Sequence, residues 1–154
     1  MKIEELERRL RVLEDIEEIK RLKARYAAAC DNNYDPDTIA SLFVPDGVWD
    51  GGELGRAQGR EAIRAFFAKA PKAFPFAIHN VMNPIIEVSG DHARGQWYLL
   101  QPLTMAKGNQ AAWLAGRYED EYVRTAEGWR FLRLRFTPTF LTPYAEGWAK
   151  QRFV

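Results

Sequence analysis

Apolar residues recur at helical spacing through the first thirty positions, as Leu6, Leu10 and Leu13 and then, after an interruption near Asp15, as Ile19, Leu22, Tyr26 and Cys30. The pattern predicts two helices in series. Asp15, with Glu18 three residues on, has the form of an N-cap and its capping-box partner, so the second helix is expected from about 15 to about 31. Asn32 and Asn33 can take the left-handed conformation that ends it. Asp35-Pro36 reads as the N-cap and first residue of a short helix that turns Ile39, Leu42 and Phe43 inward. Pro45-Asp46-Gly47 predicts a turn into a brief strand, Val48-Trp49-Asp50. After a glycine-rich loop, residues 60–69 predict a third helix that buries Ile63, Phe66 and Phe67 and is stopped by Pro71.

From Phe74 the period changes to that of strands, expected at 75–88, 92–105, 112–124 and 129–140 with turns at Ser89-Gly90-Asp91, Lys107-Gly108-Asn109 and Ala126-Glu127-Gly128. Helices first and long hairpins after predict an α+β fold, a cone-shaped barrel in which the N-terminal helices pack in the concave face of a curved, mainly antiparallel sheet. The 154 residues fit a single domain, with 1–14 as a helical extension and 141–154 as an aromatic tail that covers either the pocket mouth or a neighbouring subunit.

Charge changes the picture by exclusion. Lys and Arg number 22 against 21 Asp and Glu, so no field of one sign exists to collect nucleic acid or an anionic membrane. One cysteine, Cys30, forbids an internal disulfide, and with only two histidines a multi-ligand zinc site is not expected. The first twenty residues alternate charge with leucine and lack a signal-peptide core, so a cytoplasmic location is expected.

His79 sits within an apolar strand, where an imidazole must find a partner, whereas His92 belongs to a Gly-Asp-His turn. Asp31, at the end of the helical stripe, is the natural partner; a backbone-satisfied core histidine and a capping aspartate are the plainer readings. Together they form a general base, one ring nitrogen held by the carboxylate and the other free. Tyr26 lies on the same helix and could donate to a substrate oxygen. If the hairpins keep uniform register, His79 faces Pro102, Val81 faces Leu100 and Asn83 faces Tyr98, while Tyr118 faces Arg135 and Asp120 faces Arg133. Arg135 is then either a pocket cation or an ion-pair partner on a wet or subunit-facing surface. Walls of Trp49, Phe74, Tyr98, Leu100 and Tyr118 imply a flat, hydrophobic or aromatic substrate. No nucleotide loop occurs, and the base needs neither metal nor organic cofactor.

These residues also carry a resemblance. Arg25-Tyr26 with Asp31, Leu42 through Trp49, Gly59-Arg60-Glu61-Ala62-Ile63, His79 through Pro84, and Gly116 through Asp120 resemble the SnoaL-like branch of the nuclear transport factor 2 superfamily over residues 15–140. Within it the chain is most similar to the scytalone dehydratase, bile-acid dehydratase and hexachlorocyclohexane dehydrochlorinase group, whose base is a His-Asp dyad. Arg135 falls where the dehydrochlorinase type carries a pocket arginine. Tyr26 is dehydratase-like, and Pro102 stands where bile-acid dehydratase relatives place a second carboxylate. The resemblance implies a cofactor-free lyase of the dehydratase or elimination type, active as a homodimer or homotrimer. A retro-aldol lyase, isomerase or cyclase would use the same base, and a non-catalytic ligand-binding or assembly module would use the same cone.

Overall fold

The computed structural model describes residues 1–154. Helices α1 (Ile3–Asp31), α2 (Pro36–Ser41) and α3 (Arg60–Ala73) pack against a strongly curled sheet of β1 (Phe43–Asp50), β2 (Arg56–Gln58), β3 (Phe76–Ala77), β4 (Asn80–Ser89), β5 (His92–Met105), β6 (Gln110–Thr125) and β7 (Gly128–Pro143). The order is β2-β1-β7-β6-β5-β3, with β4 also on β5. β1 runs parallel to β7 and every other pair is antiparallel, so the expected meander is extended into a mixed sheet. This is the α+β cone. No helix is long and apolar enough to cross a membrane.

Three local expectations are corrected. The break at Asp15 does not occur, and α1 runs unbroken for 29 residues. Asp15 instead accepts from Arg124 Nη1 and Nη2, each at 2.8 Å, and from Trp129 Nε1 at 3.0 Å. Pro71 does not stop α3, which continues to Ala73 and closes with the Phe74 N–H on Ala70. Pro45-Asp46-Gly47 lies inside β1, where the pairing with β7 shifts between Phe43 and Val48.

Both hairpins also slip register. Near their turns they pair as expected, Ser89 with His92 and Thr125 with Gly128. Asn83, at φ 56°, and Pro84, which has no N–H to donate, interrupt β4. Beyond them Asn80 pairs with Leu100 and Val81 with Leu99. A second irregularity past Tyr122 sets Tyr118 against Phe136, Glu119 against Arg135 and Asp120 against Leu134. Gly116 admits the Phe136 ring, since a Cβ there would lie 2.3 Å from it. Because side chains alternate faces, each one-residue slip exchanges inside for outside.

The Asp15 cluster ties the middle of α1 to the β6–β7 hairpin. Its guanidinium partner holds the Asp15 carboxyl below the usual carboxylate range. A depressed folded pKa adds stability above the unfolded value and loses it as pH falls through the folded one. Asp15→Asn is therefore expected to flatten the acid loss of stability, and Asp15→Ala to cost about 2 kcal/mol at pH 7 by stranding charge-assisted bonds. Urea midpoints at pH 7 and pH 3 check both.

Candidate active site

The site begins where α1 ends. Asn33 and Tyr34, at φ 53° and 52°, turn the chain sharply after Asp31, one residue later than the asparagine pair predicted. Oδ1 of Asp31 accepts the main-chain N–H of His79 at 2.8 Å and lies 2.8 Å from the ring Nδ1. By taking that N–H, the carboxylate interrupts the edge strand between β3 and β4 and turns the imidazole inward. An ionised carboxylate only accepts, so Nδ1 carries the hydrogen and Nε2 of the neutral ring keeps its lone pair. The imidazole is 6% exposed and Asp31 33%.

His79 lines a cavity of about 290 Å³, at the small end of ligand sites. Tyr26, Trp49, Phe74 and Tyr118 line it too, as expected. The Tyr26 hydroxyl accepts from Trp49 Nε1 at 3.0 Å, and burial pushes its pKa well up, so it stays a neutral hydroxyl. Tyr118 is raised for the same reason. Burial pushes the neighbouring Cys30 thiol to about 12, leaving it protonated and unreactive.

Two expected wall residues, Tyr98 and Leu100, and two further candidates for substrate contact, Asn83 and Arg135, lie elsewhere. Tyr98 and Leu100 are on the outer face of β5, 45% and 38% exposed. Asn83 belongs to an outer depression with Tyr98 and Arg117. Arg135 also faces outward and meets Glu119 at 3.5 Å, while Leu134 and Phe136 take the inward positions of β7. Arg133 likewise reaches Asp50 rather than Asp120. The cause in each case is the register slip, or the strand parity it sets.

The same slip supplies residues the sequence reading missed. Ala77 pairs with Leu103 and Asn80 with Leu100, so His79 falls opposite Gln101. Gln101 is 3% exposed and lines the cavity, with its carboxamide beside the Tyr34 hydroxyl. Tyr34 packs edge-on to His79 at 5.8 Å. Apart from His79, Gln101 and the exposed Lys69, every lining residue is apolar or aromatic.

Deeper in, Asp120 pairs with Lys23 at 2.7 Å, both buried, and accepts from Tyr122 at 2.8 Å. Trp97 Nε1 donates to the Tyr122 hydroxyl at 3.0 Å. Lys23 Nζ lies 3.4 Å from the centre of the Tyr118 ring, so this charge supports a cavity wall without entering the cavity.

A family model described as a SnoaL-like domain matches residues 11–135. The uncharacterized Mycobacterium tuberculosis protein Rv2910c is 31% identical over 125 residues, covering 80% of this chain and 84% of its own length. The hexachlorocyclohexane dehydrochlorinase LinA-type3 of Novosphingobium barchaimii LL02 superposes with a TM-score of 0.81 at 26% identity, covering 88% of this chain and 94% of that one. A provisionally assigned scytalone dehydratase from Novosphingobium aromaticivorans DSM 12444 has a TM-score of 0.77 at 27% identity, with 86% and 89% covered. The chain thus belongs to the SnoaL-like domain family, whose related structures include proteins named as lyases.

Proposed function

We propose that the protein is a cofactor-independent lyase of the elimination type, acting on a small, hydrophobic, hydroxylated ring compound with His79 as general base and Asp31 as its orienting partner. One observation carries this reading: the 2.8 Å contact from Nδ1 to Asp31 leaves Nε2 of a cavity-lining imidazole without a protein partner. Nε2 takes a proton from carbon, and Asp31 stabilises the imidazolium. The C–H electron pair forms a C=C bond as the neighbouring C–O bond breaks, and the proton passes to the departing hydroxide. Water and an alkene are the products. Negative charge gathering on a substrate carbonyl would meet the Gln101 carboxamide N–H and the neutral Tyr26 hydroxyl, which act as preorganised donors.

A panel of cyclic β-hydroxyketones tests the reaction, with ultraviolet absorbance reporting the conjugated product. Turnover supports the lyase; tight binding with no chemical change over days supports a ligand-binding module instead.

Gln101 has its own test, independent of turnover. A net hydrogen bond is worth about 1 kcal/mol, or roughly a fivefold affinity difference. The wild type should therefore prefer 2-tetralone to tetralin by about that factor, as read from quenching of tryptophan fluorescence. Gln101→Met should lower the ratio, with any remainder owed to the Tyr26 hydroxyl, while leaving tetralin affinity unchanged. An undiminished ketone preference in the variant would remove Gln101 from the donor set.

A further inference from the structure

The first half of α1 projects beyond the body of the fold. Its first contact by hydrogen bond with the sheet is at Asp15, and nearly every residue before it is exposed. Ile3, Leu6, Leu10 and Leu13 are 71%, 51%, 56% and 61% exposed, a large apolar stripe for solvent to cover. Their spacing of three, four and three residues is that of positions a, d, a and d in two heptads. The stripe then stops: Glu17 and Lys20 occupy the next a and d places and pair with each other, while Ile19 and Leu22 rotate into the core.

The flanking charges select the partner. Counting from Ile3 as a, Lys2 and Arg9 are the g positions, and Glu7 and Glu14 the e positions. None of these four side chains closes an ion pair within the chain, whereas Arg8 on the opposite face is paired with Glu5 at 2.9 Å. In a parallel pair of identical helices, each g side chain meets the e side chain five residues on in the other helix. Lys2 would meet Glu7 and Arg9 would meet Glu14, opposite in sign both times. An antiparallel pair would set base against base and acid against acid.

We propose that this stripe is the docking surface for a second copy of the chain, the two N-terminal helix segments joining as a short parallel coiled coil. Two heptads are ordinarily too short to form a helix in water. Here the segment is the continuation of a helix whose second half is fixed in the core, so the cost of nucleation is already met by the fold. The projecting length of about 20 Å at 1.5 Å per residue lets the helices meet before the two bodies diverge.

Cysteine cross-linking in the full-length protein tests the geometry, and it reads this contact even if another face also holds copies together. Leu6→Cys, at a d position, should give a disulfide-linked dimer in a glutathione redox buffer at several-fold higher yield than Arg8→Cys on the opposite face. Adding Lys2→Glu and Arg9→Glu to Leu6→Cys should suppress the cross-link. Mixing that variant with one carrying Leu6→Cys, Glu7→Lys and Glu14→Lys should restore it, as mixed dimers. All the substituted side chains are exposed, and circular dichroism verifies that each variant is folded. Equal cross-linking at positions 6 and 8, or a yield indifferent to charge reversal, overturns the proposal.

Discussion

His79→Ala is expected to lower kcat/KM on any substrate of the elimination by about 100- to 10,000-fold, the usual worth of a positioned general base. Asp31→Asn should lower kcat while leaving KM close to wild type: the amide can still accept the His79 main-chain N–H, but it cannot offset the charge of the imidazolium. Steady-state kinetics from pH 5 to 9 on both variants would read the two effects separately. Near-normal turnover in His79→Ala would end the lyase reading.

Lys23→Met is expected to destabilise the fold by about 3–5 kcal/mol, because it leaves the carboxylate of Asp120 buried without its cation. Burial raises the pKa of Asp120 and lowers that of Lys23, so each charge is maintained by the other. The paired replacement Lys23→Met with Asp120→Leu should recover most of the loss, since two apolar groups of similar size remove both desolvation costs. Denaturant unfolding of the single and double variants provides the cycle. Equal destabilisation in both would assign the effect to packing against Tyr118 rather than to charge.

The sequence carries the architecture because its two periodicities are long and sharply divided: helical spacing up to Phe67, and alternation with well-marked turns from Phe74 onward. It also points to the juxtaposition of Asp31 and His79, since an imidazole inside an apolar strand needs a partner, but a backbone carbonyl would have met that need as well, and the structure decides between them. What it does not carry is register beyond an irregularity. Asn83-Pro84 signals trouble in a strand, yet nothing local says how many residues are displaced. A displacement of one was enough to send Tyr98 and Leu100 outside and bring Gln101 in. The false helix break has a different origin. Asp15 has the local form of a cap, and its real partners, Arg124 and Trp129, lie more than a hundred positions away. Pro71 misleads in the same sense, since a proline near a helix end need not terminate it.

The carboxylate that draws His79 out of the edge ladder also gives the cavity a single reactive side. His79 and Gln101 stand together beside β3 and β5, and the other basic residue that lines the cavity, Lys69, is exposed on α3. Under the proposed reaction, a ring held in this cavity presents only one of its two faces to the base. Of two hydrogens on the same ring carbon, the enzyme would remove one and keep the other, and a racemic alcohol would be consumed as one enantiomer.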